Sequence, residues 1–361
     1  MRAFVFFTRA FLDAFLDGEL AFYLMQLKVF LSDSLNPHLN LATEEWIFNN
    51  LEPDQHALFL WRNEDTILIG RHQNPWSECN LLRMVDDKVH LARRTTGGGA
   101  VFHDLGNTNF TFLSPKESYS LKNNTQIIFQ ALEKFGVKGE ASGRNDLLFR
   151  AGDGYRKFSG SAYREKKDRA FHHGTLLLNT NLQRLRSYLL TNPKRLRAFN
   201  LESARARIAN LSEIAKDVRH EKMVEAMIAS FQSFYSSSSE IECLTASSLL
   251  EIPELKSQYE SLTAWEWLYG NTLEFNHHIQ EYLSLGSFEI QFKIYDGFVK
   301  DLRIYTNCLY PTLVEEITEA LMEKPYDCPS VIRNFEPIIS SHPELEAGLR
   351  ELRAWICQTI N

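Results

Sequence analysis

The sequence predicts an α+β fold, with a large mixed-sheet domain followed by a small α+β domain at the C-terminus. Strand-like segments alternate with helical ones but also arrive in consecutive groups, which a regular doubly wound sheet would not do. After Gly270–Asn271 a fresh strand-then-helix pattern begins, long enough for a domain of its own. The 361 residues are 44% hydrophobic and 24% charged, a globular composition with length for one large domain and one smaller one.

The elements follow in order. Residues 1–24, "MRAFVFFTRAFLDAFLDGELAFYL", are rich in apolar side chains, but Arg9, Asp13, Asp17 and Glu19 interrupt them. No run is long enough to span a bilayer. A signal peptide wants a cleaner apolar centre, and a mitochondrial presequence avoids acids. An amphipathic surface helix is one reading of this N-terminal extension. An upstream start, with the functional protein beginning at Met25, is the favoured one. "NLATEEWIFNNL" (40–51) has a helical period, and "HALFLWRN" and "TILIGR" read as strands around Asn63-Glu64-Asp65. A helix after Pro75 ("NPWSECNLLRMVDDK") leads to strands at "LARRTT", "AVFHD" and "NTNFTFL". A helix near 123–136 precedes strands at "DLLFR", "RKFSGSAYR" and "FHHGTLLLN", and helical patterns dominate 182–235. The serine run 236–239 is one candidate boundary and Gly270–Asn271 the other. Two strands at about 287–305 and two or three helices would complete the small domain.

A net charge of −7 argues against a generic nucleic-acid binder. The segment 184–207 nevertheless carries seven Lys/Arg against one acid, either a patch that steers an acidic protein partner or a solvated helix face. Five scattered cysteines, Cys79, Cys243, Cys308, Cys328 and Cys357, form no C-x-x-C pair and no zinc-spaced cluster. That fits a reduced, cytoplasmic compartment and no structural metal.

The chemistry concentrates around "RRTTGGGAVFHDLGNTNFTFL" (93–113). A triple glycine costs backbone entropy, so it implies unusual dihedrals or a close backbone approach. A P-loop would need Gly-Lys-Ser/Thr, whereas Gly99 is followed by Ala-Val-Phe, and the dinucleotide fingerprint would need a helix here rather than a strand. Two readings stand, main-chain amides facing an anion or a tight structural hairpin. Strand alternation lets only one of Arg93 and Arg94 face the loop's ligand. In 156–164 the same alternation aligns Lys157 with Ser159, Ser161 and Tyr163, a site for an anionic oxygen or an exposed strand face. Asn145 and Asp146 precede a strand, as metal or amine ligands or as turn residues. His172 and His173 face opposite ways, so both cannot be ligands of one site.

Together these segments resemble the lipoate–protein ligases of the bacterial single-chain type. The resemblance rests on "RRTTGGGAVFHDLGNTNFTF", "SGRNDL", "RKFSGSAYRE..DR.FHHGTLLLN", "LFLWRN.DT..IGR.QNPW.ECN" and "WEW..G", and runs from about Met25 to the C-terminus. It implies the catalytic fold shared by biotin and lipoate protein ligases, with an accessory domain behind it. The organisation would be an extension at 1–24, a catalytic domain at 25–268, a linker at 269–275 and a small domain at 276–361. It implies activation of lipoate by MgATP to lipoyl-AMP, then transfer to a lysine of an apo lipoyl domain. Those acceptors are E2 subunits of 2-oxoacid dehydrogenase complexes and the glycine cleavage H protein. On this resemblance Arg94, Gly99, Ala100, Val101, Phe102, Asn145 and Asp146 would bind the nucleotide, with Asp146 near Mg²⁺. Lys157 would be catalytic and would contact both the lipoate carboxylate and the α-phosphate. Trp61, Gly98 and His173 would lie around lipoate. The family's Ser-Ser before the glycines is Thr95-Thr96 here. Alternatives are an ATP-independent lipoyl or octanoyl transferase on the same scaffold, a biotin ligase, and a non-catalytic adenylate- or acceptor-binding module.

Overall fold

Apolar runs in the first half of the chain become strands of one large sheet. The computed structural model describes residues 26–143, 145–152, 154–189, 208–269, 277–295 and 297–360. The expected extension at 1–24, nearly all of the linker expected at 269–275, and residues 190–207 of the basic segment lie outside them. Strand β1 (Gln26–Ser32) leads through helix α1 (Pro37–Asn49) to a parallel neighbour, β2 (Gln55–Trp61). Strands β6 (Asn107–Pro115), β10 (Arg169–Leu177), β9 (Gly154–Glu165), β8 (Asp146–Ala151) and β7 (Gly139–Ser142) then add antiparallel in that spatial order. Strand β11 (Glu240–Leu244) returns to lie parallel to β1 and completes eight strands. The serine run 236–239 is thus a connection inside this sheet's domain.

Both faces of the sheet are covered, and strand alternation divides the side chains between them. Leu58, Leu60, Phe110 and Phe112 pack with helices α2 (Leu121–Glu133) and α3 (His220–Tyr235), while Phe59, Trp61 and Phe171 pack against α1. Burial from both sides is why β6 is buried at nearly every position, its Asn and Thr residues included. A second, three-stranded sheet is ordered β4 (His90–Arg93), β3 (Thr66–Ile69), β5 (Val101–His103), and the glycines join β4 to β5. The single helix expected after Pro75 is two short ones, Pro75–Glu78 and Leu81–Asp86. Asn80 divides them by accepting the Arg83 N–H and starting the second.

Strands β12 (His277–Leu283), β13 (Gly286–Tyr295) and β14 (Phe298–Thr306) form a separate antiparallel sheet, one strand more than expected. The apolar positions of β12, Ile279 and Leu283, are too diluted by His, Gln and Glu to show a period. Helices α4 (Pro311–Leu321), α5 (Cys328–Ser341) and α6 (Glu346–Ile360) close a core of its own around Phe288, Phe292, Phe335 and Leu349.

Helix α1 is fixed at its start. Asn36 caps it by accepting the N–H groups of His38 and Leu39 at 2.9 and 3.0 Å, and Pro37 takes the first position, where no donor is needed. Asn40, fully buried, donates to the Ser34 and Arg62 carbonyls and to Asn63 Oδ1 at 2.9, 3.1 and 3.0 Å, and accepts from Ser32 Oγ at 2.6 Å. One amide ties α1 to the ends of β1 and β2. We expect Asn40→Ala to cost about 3 kcal/mol or more of stability, because several buried polar groups lose their partner together. Urea denaturation measures this, and a loss near zero would show that the amide is not what holds α1.

Candidate active site

The glycine loop is organised by the two arginines before it. Arg93 ends β4, and its guanidinium donates to the carbonyls of Gly70, Arg71, Gln73 and Leu268. Trp267 returns the contact, donating Nε1–H to the Arg93 carbonyl at 2.9 Å, so the "WEW" segment clamps the strand end that feeds the loop. Arg94 lies beyond the strand. Its guanidinium donates to Leu68 O at 3.1 Å, to Gly97 O from Nε at 3.1 Å and from a terminal nitrogen at 2.8 Å, and to Gly99 O at 2.8 Å. Both arginines are buried, at 6% and 5% exposure, so neither is a surface charge. Burial pushes the Arg94 pKa down to about 10, with Glu44 acting the other way, and the group stays charged at neutral pH.

The threonines before the glycines are held by α1. Thr95 Oγ1 donates to Glu45 Oε1 at 2.6 Å, and Glu45 also pairs with Arg164. Thr96 Oγ1 lies 2.9 Å from His173 Nε2, while His173 Nδ1 lies 2.9 and 3.1 Å from the two oxygens of Glu44. Thr111 donates to Glu44 Oε1 at 2.6 Å and Trp61 Nε1–H to Thr111 at 3.3 Å. Trp61 and His173 therefore share one hydrogen-bonded chain. Burial, then the neighbouring Arg94 and His173, push His103 down to about 3, so that imidazole is neutral beside them. Glu44 and Glu45 did not stand out from sequence. Adjacent carboxylates directly before the apolar Trp46-Ile47-Phe48 were the available signal.

Lys157 requires a correction. Between Leu147 and Leu148 the β8–β9 register shifts, so Ser159 pairs with Leu147, Lys157 pairs with Leu148, and Phe158 is the extra residue of a bulge. Simple alternation would put Lys157 beside Ser159 and Ser161. The bulge instead turns it onto the face of Gly160 and Ala162, and Ala162 pairs with His173. Lys157 Nζ would lie 3.4 Å from a Cβ built on Gly160 and forms an ion pair with Asp146 at 2.7 Å. Phe158 and Ser159 are both fully buried, Phe158 stacking on Phe149. Just after residues 190–207, Ala209 donates its N–H to the Lys157 carbonyl.

Other expected residues divide. Phe102 is a core side chain against Tyr188, and it pairs with Ile67 in the ladder of β5 with β3. Ala100 and Val101 are partly buried against neighbouring cores. The Asn145 carbonyl accepts the N–H and Oγ of Ser161, and its side chain borders a cavity of about 490 Å³. That cavity, with His172, Phe129 and Leu147 in its wall, also reaches Asp146, the ion-pair partner of Lys157. Cys79 is buried and its thiol is pushed up to about 12, which disfavours a nucleophilic thiolate. Among the described residues no group of three His, Cys, Asp or Glu could hold a metal.

Residues 36–232 match the lipoyl protein ligase A/B catalytic domain, and residues 272–356 match the bacterial lipoate protein ligase C-terminus. The chain belongs to the lipoate–protein ligase family. It is 64% identical over 337 residues to lipoate-protein ligase A of Bdellovibrio bacteriovorus, covering 93% of this chain and 99% of that protein. It is 43% identical to lipoate-protein ligase A of Psychrobacter cryohalolentis, covering 92% and 98%. The crystal structure of P. falciparum LipL1 in complex with lipoate superposes with a TM-score of 0.79 at 34% identity, covering 92% of this chain and 99% of that one.

In this member of the family the small C-terminal unit sits on the glycine loop. The Gly98 N–H donates to the Cys308 carbonyl at 3.1 Å, and Gly98 itself has φ +94°, a conformation that favours glycine. A Cβ on Gly97 would meet Cys308 O at 2.2 Å and the Leu309 carbonyl carbon at 2.9 Å. Thr306 N–H donates to His72 O, Arg71 pairs with Glu315, and the Tyr163 and Tyr310 rings meet edge to face at 6.0 Å. The glycines therefore serve a close backbone approach, here by the protein's own carbonyl. We expect Gly97→Ala to loosen this contact while the rest folds, seen as faster amide hydrogen exchange across residues 306–309. Unchanged exchange there would mean that the loop makes room without releasing its neighbour.

Proposed function

We infer that this protein is an ATP-dependent lipoate–protein ligase that forms lipoyl-AMP and passes the lipoyl group to a protein lysine. The observation that carries the reading is 64% identity over nearly the whole length to a lipoate-protein ligase A, alongside likeness to a P. falciparum enzyme solved with lipoate. The acceptors proposed are apo lipoyl domains of E2 subunits and the glycine cleavage H protein, met in the cytoplasm. Among the described residues no helix is long and apolar enough to cross a membrane.

The chemistry follows from charge. In the first step a lipoate carboxylate oxygen attacks the α-phosphorus, forming a C–O–P bond as the bond to pyrophosphate breaks. Two anions must approach, so cations have to stand between them. Lys157 is the group proposed for that place, because a compact ammonium with three donors can bridge two oxyanions. Asp146, 2.7 Å from it, would hold the ammonium until substrates arrive. A single carboxylate of this kind suits Mg²⁺ that arrives on the nucleotide phosphates rather than a resident ion, since Mg²⁺ keeps most of its water and phosphate ligands. Arg94 and the main chain from Gly99 to Phe102 are proposed to frame the nucleotide, with Asn145 beside it. Trp61, Gly98 and His173 are proposed around lipoate. In the second step the acceptor amine attacks the carbonyl carbon of the mixed anhydride and AMP leaves, with no enzyme thioester.

Lipoate-dependent exchange between pyrophosphate and ATP, without acceptor protein, tests the first step. Exchange that disappears without lipoate is expected, and its absence from folded enzyme with Mg²⁺ would favour the ATP-independent transferase. Lys157→Ala should lower exchange by about 10²–10³, the usual cost of losing one charged or oxyanion contact in a transition state. Its circular dichroism and melting temperature should stay near wild type, since Lys157 is partly exposed.

A further inference from the structure

The threonine before the glycines, His173 and Glu44 form a buried line with the geometry of a hydroxyl–imidazole–carboxylate relay, whose direction follows from where the imidazole carries a single hydrogen. Trp61 Nε1–H donates to Thr111 Oγ1, so the Thr111 hydrogen goes to Glu44 Oε1 at 2.6 Å. The Glu44 carboxylate, 1% exposed and with Arg94 as its nearby countercharge, acts as an acceptor on both oxygens. His173 Nδ1, 2.9 and 3.1 Å from those oxygens, must then carry its hydrogen. If the ring carries only this hydrogen, Nε2 is left as an acceptor, and at 2.9 Å the Thr96 hydroxyl then donates to it. Thr96 is fully buried. Its hydroxyl thus has no room to take an acyl group, and the relay holds rather than attacks, unlike the serine of a protease triad with the same order of atoms.

We propose that Glu44 is a positioning residue for the ligase reaction: by selecting the Nδ1–H form of His173 it makes Thr96 a fixed donor and so anchors the start of the glycine loop to the sheet. Thr96 is followed directly by Gly97, whose carbonyl is gripped by Arg94, and Thr95 is held separately by Glu45. Two neighbouring glutamates of α1 therefore grip two neighbouring threonines, one directly and one through a histidine. Arg94 sets the curvature of the loop, and the relay sets where the curve begins. This inference rests on the loop forming the adenylation site.

The test is made on the full-length enzyme with ¹⁵N-labelled histidine. Long-range ¹⁵N spectra should give the His173 signal, assigned through the His173→Gln variant, the pattern of the Nδ1–H form, which is the minor form of free imidazole. Glu44→Gln should abolish that preference. Glu44→Gln and the isosteric Thr96→Val should each lower kcat for lipoate-dependent pyrophosphate exchange by about 10²-fold, the scale of a 1 Å misplacement of a reacting group. Thr96→Ser, which restores the hydroxyl, should recover most of the loss. A wild-type enzyme that exchanges pyrophosphate normally but holds His173 with its proton on Nε2 overturns the proposal. Equal rates for Thr96→Val and Thr96→Ser overturn it too. No exchange by the wild type would instead refute the adenylation reading. If Glu44→Gln does not fold, the wild-type spectrum and the threonine pair still decide.

Discussion

The buried guanidinium of Arg94 is the contact on which the loop depends. Taking a charge out of water costs several kcal/mol unless hydrogen bonds and a countercharge offset it. Here the carbonyls of Leu68, Gly97 and Gly99 supply the hydrogen bonds and Glu44 the opposite charge. That requirement shapes the backbone. With the carbonyls of Gly97 and Gly99 both drawn to one side chain, the peptide between them has to turn, and Gly98 adopts φ +94°. A Cβ there would also sit 3.0 Å from the guanidinium itself. The glycines follow from the cation, and the outward-facing Gly98 N–H follows from the glycines.

That amide links the loop to the small domain. It already donates to the Cys308 carbonyl, and one N–H cannot give a full hydrogen bond to that carbonyl and to a substrate oxygen at once. Any anion seated on Gly98 therefore competes with the docking of the small domain. The contacts nearby are main-chain hydrogen bonds, the Arg71–Glu315 ion pair and an edge-on pair of tyrosines. Polar contacts of this kind separate at less cost than a shared apolar core, and the two units do keep separate cores. An enzyme that must first enclose an adenylate and then admit a protein lysine has a use for such a joint.

Much of this was legible in the sequence because it depends on local periodicity. The strands around Phe59, Phe110 and Phe171, helix α1 and the second strand-and-helix unit all announce themselves by spacing. The opposite facing of His172 and His173 also follows from alternation. What was not legible depends on pairing between distant segments. The bulge at Phe158 exists because that side chain and Ser159 both go into the interior, and nothing in "RKFSGSAYR" says which residue lacks a partner across the ladder. Alternation therefore set Lys157 among the serines, whereas the ladder sets it with Gly160. Glu44, Thr96 and Thr111 are brought together by the packing of α1 on the sheet, and β12 was hidden by its polar positions. The two arginines misled in a simpler way. Strand parity applied to Arg93 but not to Arg94, which lies past the strand end.

Charge pairing then separates the roles of the two cations proposed for the nucleotide. A nucleotide brings several negative charges, so a cation that meets it has to loosen its present partner. Arg94 is buried and held by three main-chain carbonyls, and moving it would unmake the loop. Lys157 is about one-third exposed and its partner Asp146 more so, at 33% and 43%. Ion pairs that open to solvent are worth at most about 1 kcal/mol, so exchanging a carboxylate for a phosphate there costs little. On the proposed reading, then, Lys157 is the cation that changes partners during the reaction. Arg94 acts mainly as the frame that presents the loop. The same fold thus places one cation where it can move and another where it cannot, and it does so by a single bulge in β9 and by the end of β4.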